Sequence, residues 1–200
     1  MPTAPRRDLR EAILDATERL LARKGFRQMT MDDIAAESCV ARRTIYLHFP
    51  GKEQMALDSI DRVVERLLDR LRAAASEPAP AEQRLHAMLV TRVLFRFDSV
   101  KDYHHSFTEM FAAIRPAYLA RREHYFAAEA EVFAGVLAEG RNSGSLRFDD
   151  LTHTAHTLLL ATNALLPFSL SARELGARRE VEAKVTRIAD LVVAGLRHAI

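Results

Sequence analysis

A chain of 200 residues that is 48% hydrophobic and 28% charged, with both signs interspersed, has the composition of a packed globular protein, which excludes intrinsic disorder and low-complexity scaffolds. The apolar run Leu158 to Leu170 is broken by Thr162, Asn163, Pro167 and Ser169, short of the roughly 20 residues of a membrane span. The basic start Met1 to Arg10 lacks the apolar stretch of a secretory signal. The single cysteine, Cys39, excludes an internal disulfide and a cysteine-based zinc site. A cytoplasmic protein with no membrane partner is expected. The formal net charge of +2 is unevenly spread: ten Lys and Arg face seven Asp and Glu in residues 1–52, and 19 face 20 in the remainder, so an anionic partner is to be sought at the N-terminal end.

Apolar residues recur at helical spacing almost throughout, and no stretch alternates convincingly with period two, so the fold class is all-α. A first helix opens at Asp8, with Glu11 able to complete a capping box, buries Leu9, Ile13, Ala16 and Leu20, and stops at Gly25, which tolerates a left-handed C-terminal conformation. A second helix starts at Thr30, with Asp33 three residues on, and runs through Glu37. The turn Ser38, Cys39, Val40 leads to a third helix from Ala41 to Phe49, ended by Pro50 and Gly51. A fourth begins at Lys52 and carries an apolar stripe to about Arg72. The linker-like segment Ala73 to Ala81, with Pro78 and Pro80, follows. Further helices are expected at 82 to 97, 102 to 113, 117 to 140, 150 to 170 (kinked at Pro167) and 180 to 199. The expected organisation is a helix-turn-helix domain over 1–52 and a helical ligand-binding and dimerising domain over 53–200, with 53–72 as the connecting helix.

Three short helices, with a three-residue turn between the second and third, describe a helix-turn-helix unit. On the third helix Ile45 and Phe49 share the inward face, while Arg42, Arg43, Thr44, Tyr46 and Leu47 occupy the other side. Guanidinium, hydroxyl and phenol groups on a narrow helix suit the major groove of DNA. The run Met29 to Leu57, MTMDDIAAESCVARRTIYLHFPGKEQMAL, resembles the DNA-binding signature of the tetracycline-repressor (TetR) family, above all in IA at 34 to 35, TIYLHF at 44 to 49 and GKE at 51 to 53. EGRNSGSLRFDD at 139 to 150 resembles the loop that commonly precedes that family's dimerising helices.

The resemblance implies a three-helix DNA-binding domain, a variable helical ligand domain and a homodimer that represses transcription until a small molecule releases it. It implies that Thr30 touches a phosphate, that Arg42, Arg43 and Thr44 approach base edges or nearby phosphates, and that Tyr46, His48 and Lys52 hold the DNA backbone. Arg6 and Arg7 are candidates for a basic arm, although for these two and His48, taken alone, a merely solvated side chain is the plainer reading. Two positions depart from the family pattern. Cys39 stands where a turn glycine is usual, at a cost of roughly 1 kcal/mol if its backbone is left-handed; Ala41 replaces a usual capping serine at about the same cost. Cys39 reads as a small apolar residue packed in the turn rather than as an oxidation sensor.

In the second domain Phe95, Tyr103, Phe107, Met110, Phe111, Tyr118 and Phe126, with His156 and Asn163, are candidate walls of a site for a small, largely apolar effector, although core packing explains each separately. A dimer seam is expected along Val181, Val185, Ile188, Val192 and Leu196, with Leu158 and Leu166 from the preceding helix. Asp149, His153 and His156, with His104 and His105, have a spacing usable by a metal, so a metal-responsive regulator is the alternative; exposed or hydrogen-bonded histidines are the plainer reading, and no metal or cofactor is expected. The chain has no Gly-rich phosphate loop, Gly-x-Ser-x-Gly turn or Glu-x-x-His pair, which argues against an enzyme. A helical adaptor using the helix-turn-helix to bind protein is the remaining alternative.

Overall fold

The structure, a computed structural model, describes residues 6–100, 104–167 and 176–198, with backbone alone at 6–8 and 104–107. The described residues form α1 (Arg6–Gln28), α2 (Met31–Ser38), α3 (Arg42–His48), α4 (Lys52–Ala75), α5 (Ala81–Val100), α6 (His104–Asn142), α7 (Leu151–Asn163) and α8 (Arg178–His198), with no strand among them. None of these helices is long and apolar enough to cross a membrane. They divide into two compact units, one within Met1–Val63 and Val100–Ala120, the other within Val64–Ser99 and Arg121–Ile200.

In the first unit α1 packs on α2 and α2 on α3, around Ile13, Leu14, Leu20, Leu21, Phe26, Met29, Ile34, Ile45, Phe49 and Met55, all buried. Helix α1 already includes Arg6, so Asp8 lies inside it rather than at its N-cap; Arg6 and Arg7 are good helix formers and extend the run backward. Its regular path breaks at Gly25, with φ 73°, a conformation that costs glycine nothing sterically. Thr30 caps α2 in a full capping box with Asp33. Cys39 ends α2 at φ 54°, so the left-handed turn inferred from the absent glycine is present and its strain is borne by a cysteine. The thiol is exposed rather than packed, because a left-handed C-cap residue projects off the helix end. Ala41 precedes α3 with no side-chain cap.

In the second unit α4, α5, α6, α7 and α8 surround one core that includes Leu67, Leu85, Leu89, Phe133, Leu137, Leu158, Leu159 and Ala189, with a second cluster of Val93, Leu94, Leu165, Leu166, Val181 and Val185. Two sequence expectations are corrected. The break at 113 to 117 is absent: α6 continues through Pro116. The missing proline amide would have met the carbonyl of Ala112, and both residues are exposed, so water can serve that carbonyl and the helix survives. The kink at Pro167 is also absent, because α7 has already stopped at Asn163. The same missing amide would have bonded the Asn163 carbonyl, which accepts instead from Leu166 N at 3.1 Å, closing a tight turn that replaces continued helix.

Candidate nucleic-acid interface

The third helix is set in place by its apolar side. Ile45 and Phe49 are both fully buried, which fixes the rotation of α3 and turns Arg42, Arg43, Tyr46 and Leu47 outward, all exposed, with Thr44 and His48 half-buried at the margins. Charge pairs brace the helices behind this face. Arg19 and Arg23 of α1 donate to Glu37 of α2 at 2.8 and 2.7 Å, and Arg10 donates to Asp58 of α4 at 2.6 Å. Lys24 donates to Asp33 at 2.6 Å. That hydrogen bond, followed by those from the Thr30 amide and hydroxyl, holds the Asp33 carboxyl at about 2 instead of its ordinary 3.8.

The sequence-predicted contact residues are in different states of readiness. Arg43 is exposed and heads the outward face. Arg42 is engaged: one guanidinium nitrogen donates to both carboxylate oxygens of Asp32 at 2.8 and 2.9 Å, and the group lies over the Tyr46 ring, 5.6 Å from its centre. A phosphate or base must draw Arg42 from Asp32, an exchange made feasible by the weakness of exposed ion pairs. The Thr30 hydroxyl donates to Asp33 at 2.9 Å and accepts from the Asp33 amide at 3.1 Å, so it is occupied in the cap. The side chains of Arg6 and Arg7 lie outside the described residues.

Lys52 is turned inward. Its ammonium donates to the carbonyls of Phe26, Arg27 and Met29 at 3.0, 3.4 and 3.2 Å and sits 4.7 Å from the centre of the Phe26 ring. All three N–H donors are thereby engaged with the chain that leaves α1, an arrangement that joins the start of α4 to the end of α1. Lys52→Met is expected to lower folding stability by about 1.5–3 kcal/mol, read by urea unfolding. Unchanged stability together with uniformly weaker DNA binding would return Lys52 to the role of a phosphate contact.

The candidate ligand residues divide between the two units. Met110 and Tyr118 are buried, and Phe111 meets Tyr118 edge to face with ring centres 4.9 Å apart; these three fall in the first unit. Phe95 and Phe126 pack on the core of the second unit, where Asn163 accepts from Arg92 at 3.0 Å and His156 is exposed. Neither unit by itself collects the set. Tyr103 and the side chain of Phe107 lie outside the described residues, as do those of His104 and His105. Among the described residues no three His, Cys, Asp or Glu side chains come together as a metal site.

Sequence reasoning missed a buried charge network. Arg92, Arg96 and Glu129 are all within the core of the second unit; Arg92 donates to Glu129 at 2.6 Å and to the Thr162 hydroxyl at 2.6 Å, and Arg96 grips both Glu129 oxygens. Burial pushes the Glu129 carboxyl up, but the Arg96 and Arg92 guanidiniums outweigh it and hold it below its ordinary value. The signal available was two arginines four residues apart on an otherwise apolar helix face, with Met88, Leu89 and Val93 as neighbours.

The residues of the expected dimer stripe lie largely against their own chain. Leu158, Leu166, Val181 and Val185 are buried within one chain, and Ile188, Val192 and Leu196 pack against the same cores. Periodicity identified the inner face of α8; the large apolar residues exposed on these two helices are Leu160 on α7, 61% exposed, and Leu191 on α8, 69% exposed.

Comparison with known proteins agrees with the geometry. Residues 13–58 match the sequence profile of bacterial regulatory proteins of the tetR family. The transcriptional regulator EthR of Mycolicibacterium smegmatis is 41% identical over 59 residues, 30% of this chain and 27% of its own. The relatives aligned at 36–41% identity are spanned over only 27–43% of their length. A TetR/AcrR-family regulator from Thermobifida fusca superposes with a TM-score of 0.66 at 26% identity, over 96% of this chain and 100% of that one. FadR of Bacillus subtilis, solved in complex with stearoyl-CoA, shares the fold at a TM-score of 0.61 and 17% identity, over 95% and 98%. Over residues 13–58 the chain carries the domain of bacterial regulatory proteins of the tetR family, and along nearly its whole length it is similar to a TetR/AcrR-family regulator.

Proposed function

We propose that this protein is a homodimeric, sequence-specific DNA-binding repressor that acts in the cytoplasm by binding and not by catalysis, and that a small, largely apolar effector releases it from DNA. The observation that carries the reading is α3, whose buried Ile45 and Phe49 hold arginine, phenol and leucine side chains outward on a helix narrow enough for the major groove. Arg43 and Arg42 read base edges or phosphates, with Thr30, Thr44, Tyr46 and His48 at the phosphate margins. Fluorescence anisotropy with duplexes drawn from beside the protein's own gene, over a salt series, tests it. Tight binding to a palindromic sequence with a steep salt dependence is expected; equal, weak binding to every duplex at all salts would refute it.

The effector acts by favouring a conformation in which the two recognition helices no longer match the groove spacing. Helix α4, continuous from Lys52 in one unit to Ala75 in the other, is the lever in this reading. The stearoyl-CoA bound by the Bacillus neighbour makes long-chain acyl thioesters the first compounds to add to the preformed DNA complex. Dimerisation is assigned to the outward faces of α7 and α8, which pack on one another. The double variant Leu160→Glu, Leu191→Glu is expected to be a folded monomer by light scattering, since both side chains lie outside the core; a dimer of unchanged mass would place the seam elsewhere.

A further inference from the structure

Leu47 is 79% exposed, the most exposed large apolar side chain among the described residues, and it sits in the middle of the face just assigned to DNA. Its position is not adjustable. Ile45 and Phe49 are wholly buried two residues to either side, so any rotation of α3 that hid Leu47 would expose them, and burying the two is worth about twice what shielding one leucine would gain. Around Leu47 the surface is polar: Arg43 lies one turn earlier on the same face, Thr44 lies three residues before it, and Tyr46 is adjacent. The result is a single hydrocarbon group framed by hydrogen-bond donors and positive charge, which is complementary to a polyanion that presents an isolated apolar group. In the major groove of B-DNA that group is the 5-methyl of thymine, whereas the other base edges offer donors and acceptors that leucine cannot use.

We infer that Leu47 is a specificity-determining residue that packs on a thymine methyl group in each half-site. The inference rests on the DNA-binding reading above. Four residues of helix separate Leu47 from Arg43, a rise of about 6 Å, and side chains three to four residues apart on a helix that follows the major groove meet successive bases. The thymine therefore lies about one position from the base that Arg43 contacts.

The test uses the full-length protein and its best binding duplex, selected from a random pool, with each thymine replaced in turn by deoxyuridine so that only a methyl group is lost. The wild type is expected to bind about fourfold more weakly at one position in each half-site, the equivalent of one methyl group left unburied. Leu47→Ala is expected to bind the thymine and deoxyuridine duplexes equally at that position, while Arg43→Ala retains the discrimination. Leu47→Ala shortens a side chain that is 79% exposed, and an unchanged thermal melt verifies its fold. Tight wild-type binding with no deoxyuridine-sensitive position overturns the inference and leaves the DNA-binding reading standing, as does a Leu47→Ala variant with the wild-type pattern of sensitivity. A wild type that selects no duplex from the pool overturns both.

Discussion

Replacing Glu129 with alanine is expected to cost about 3–5 kcal/mol of folding stability, the usual consequence of removing one partner from a buried ion pair. Arg92 and Arg96 would keep their positions in the core of the second unit and lose the carboxylate they share. Arg92 would still donate to the Leu159 carbonyl and the Thr162 hydroxyl, but hydrogen bonds to neutral acceptors do not balance buried charge. Thermal or urea unfolding reads the loss directly; a variant within 1 kcal/mol of wild type would show that water reaches the two guanidiniums. The acid response follows with a definite sign. The folded-state pKa of Glu129 lies below its ordinary 4.5, so its contribution is complete above that value and is lost as pH falls through the lower folded pKa. Glu129→Gln is expected to be less stable at neutral pH and to lack that part of the acid-induced loss.

Arg43→Ala carries the second large expectation, a loss of about 1–3 kcal/mol in specific DNA binding together with relaxed preference at one base position. Arg42→Ala is expected to do less, because Arg42 gives up its contact with both Asp32 oxygens when it turns to DNA and its net gain is reduced by that exchange. Anisotropy with the selected duplex and single-base variants separates the two. A uniform weakening by Arg43→Ala across all sequences, with a salt slope reduced by about one, would make Arg43 a phosphate contact instead.

Local chemistry was legible in the sequence wherever it is decided by neighbours along the chain. Thr30 and Asp33 specify a cap because they are three residues apart and each can serve the other's amide; Ile45 and Phe49 orient α3 because they are one turn apart. The left-handed turn at Cys39 was suggested only by the glycine usual at that place in the family pattern. What could not be read was decided by partners distant in sequence. Lys52 is a lysine in a basic motif until the carbonyls of Phe26, Arg27 and Met29 are brought to it by the folding of α1. The stripe from Val181 to Leu196 is apolar whether it faces its own core or another subunit, and only the packing of α7 and α8 distinguishes the two. Pro116 and Pro167 show the same ambiguity. Each removes one amide, and exposure of the Ala112 carbonyl allows α6 to continue, whereas at Pro167 a tight turn supplies the Leu166 amide and α7 ends.

The central claim, a two-fold regulator that reads DNA with α3, is tested most directly by hydroxyl-radical footprinting of the full-length protein on its selected duplex. The account predicts two protected patches on one face of the DNA, centred about 10 base pairs apart or a multiple of that, both lost in Arg43→Ala at a concentration that saturates the wild type. Protection without a preferred position, or a footprint that Arg43→Ala leaves intact, would contradict it.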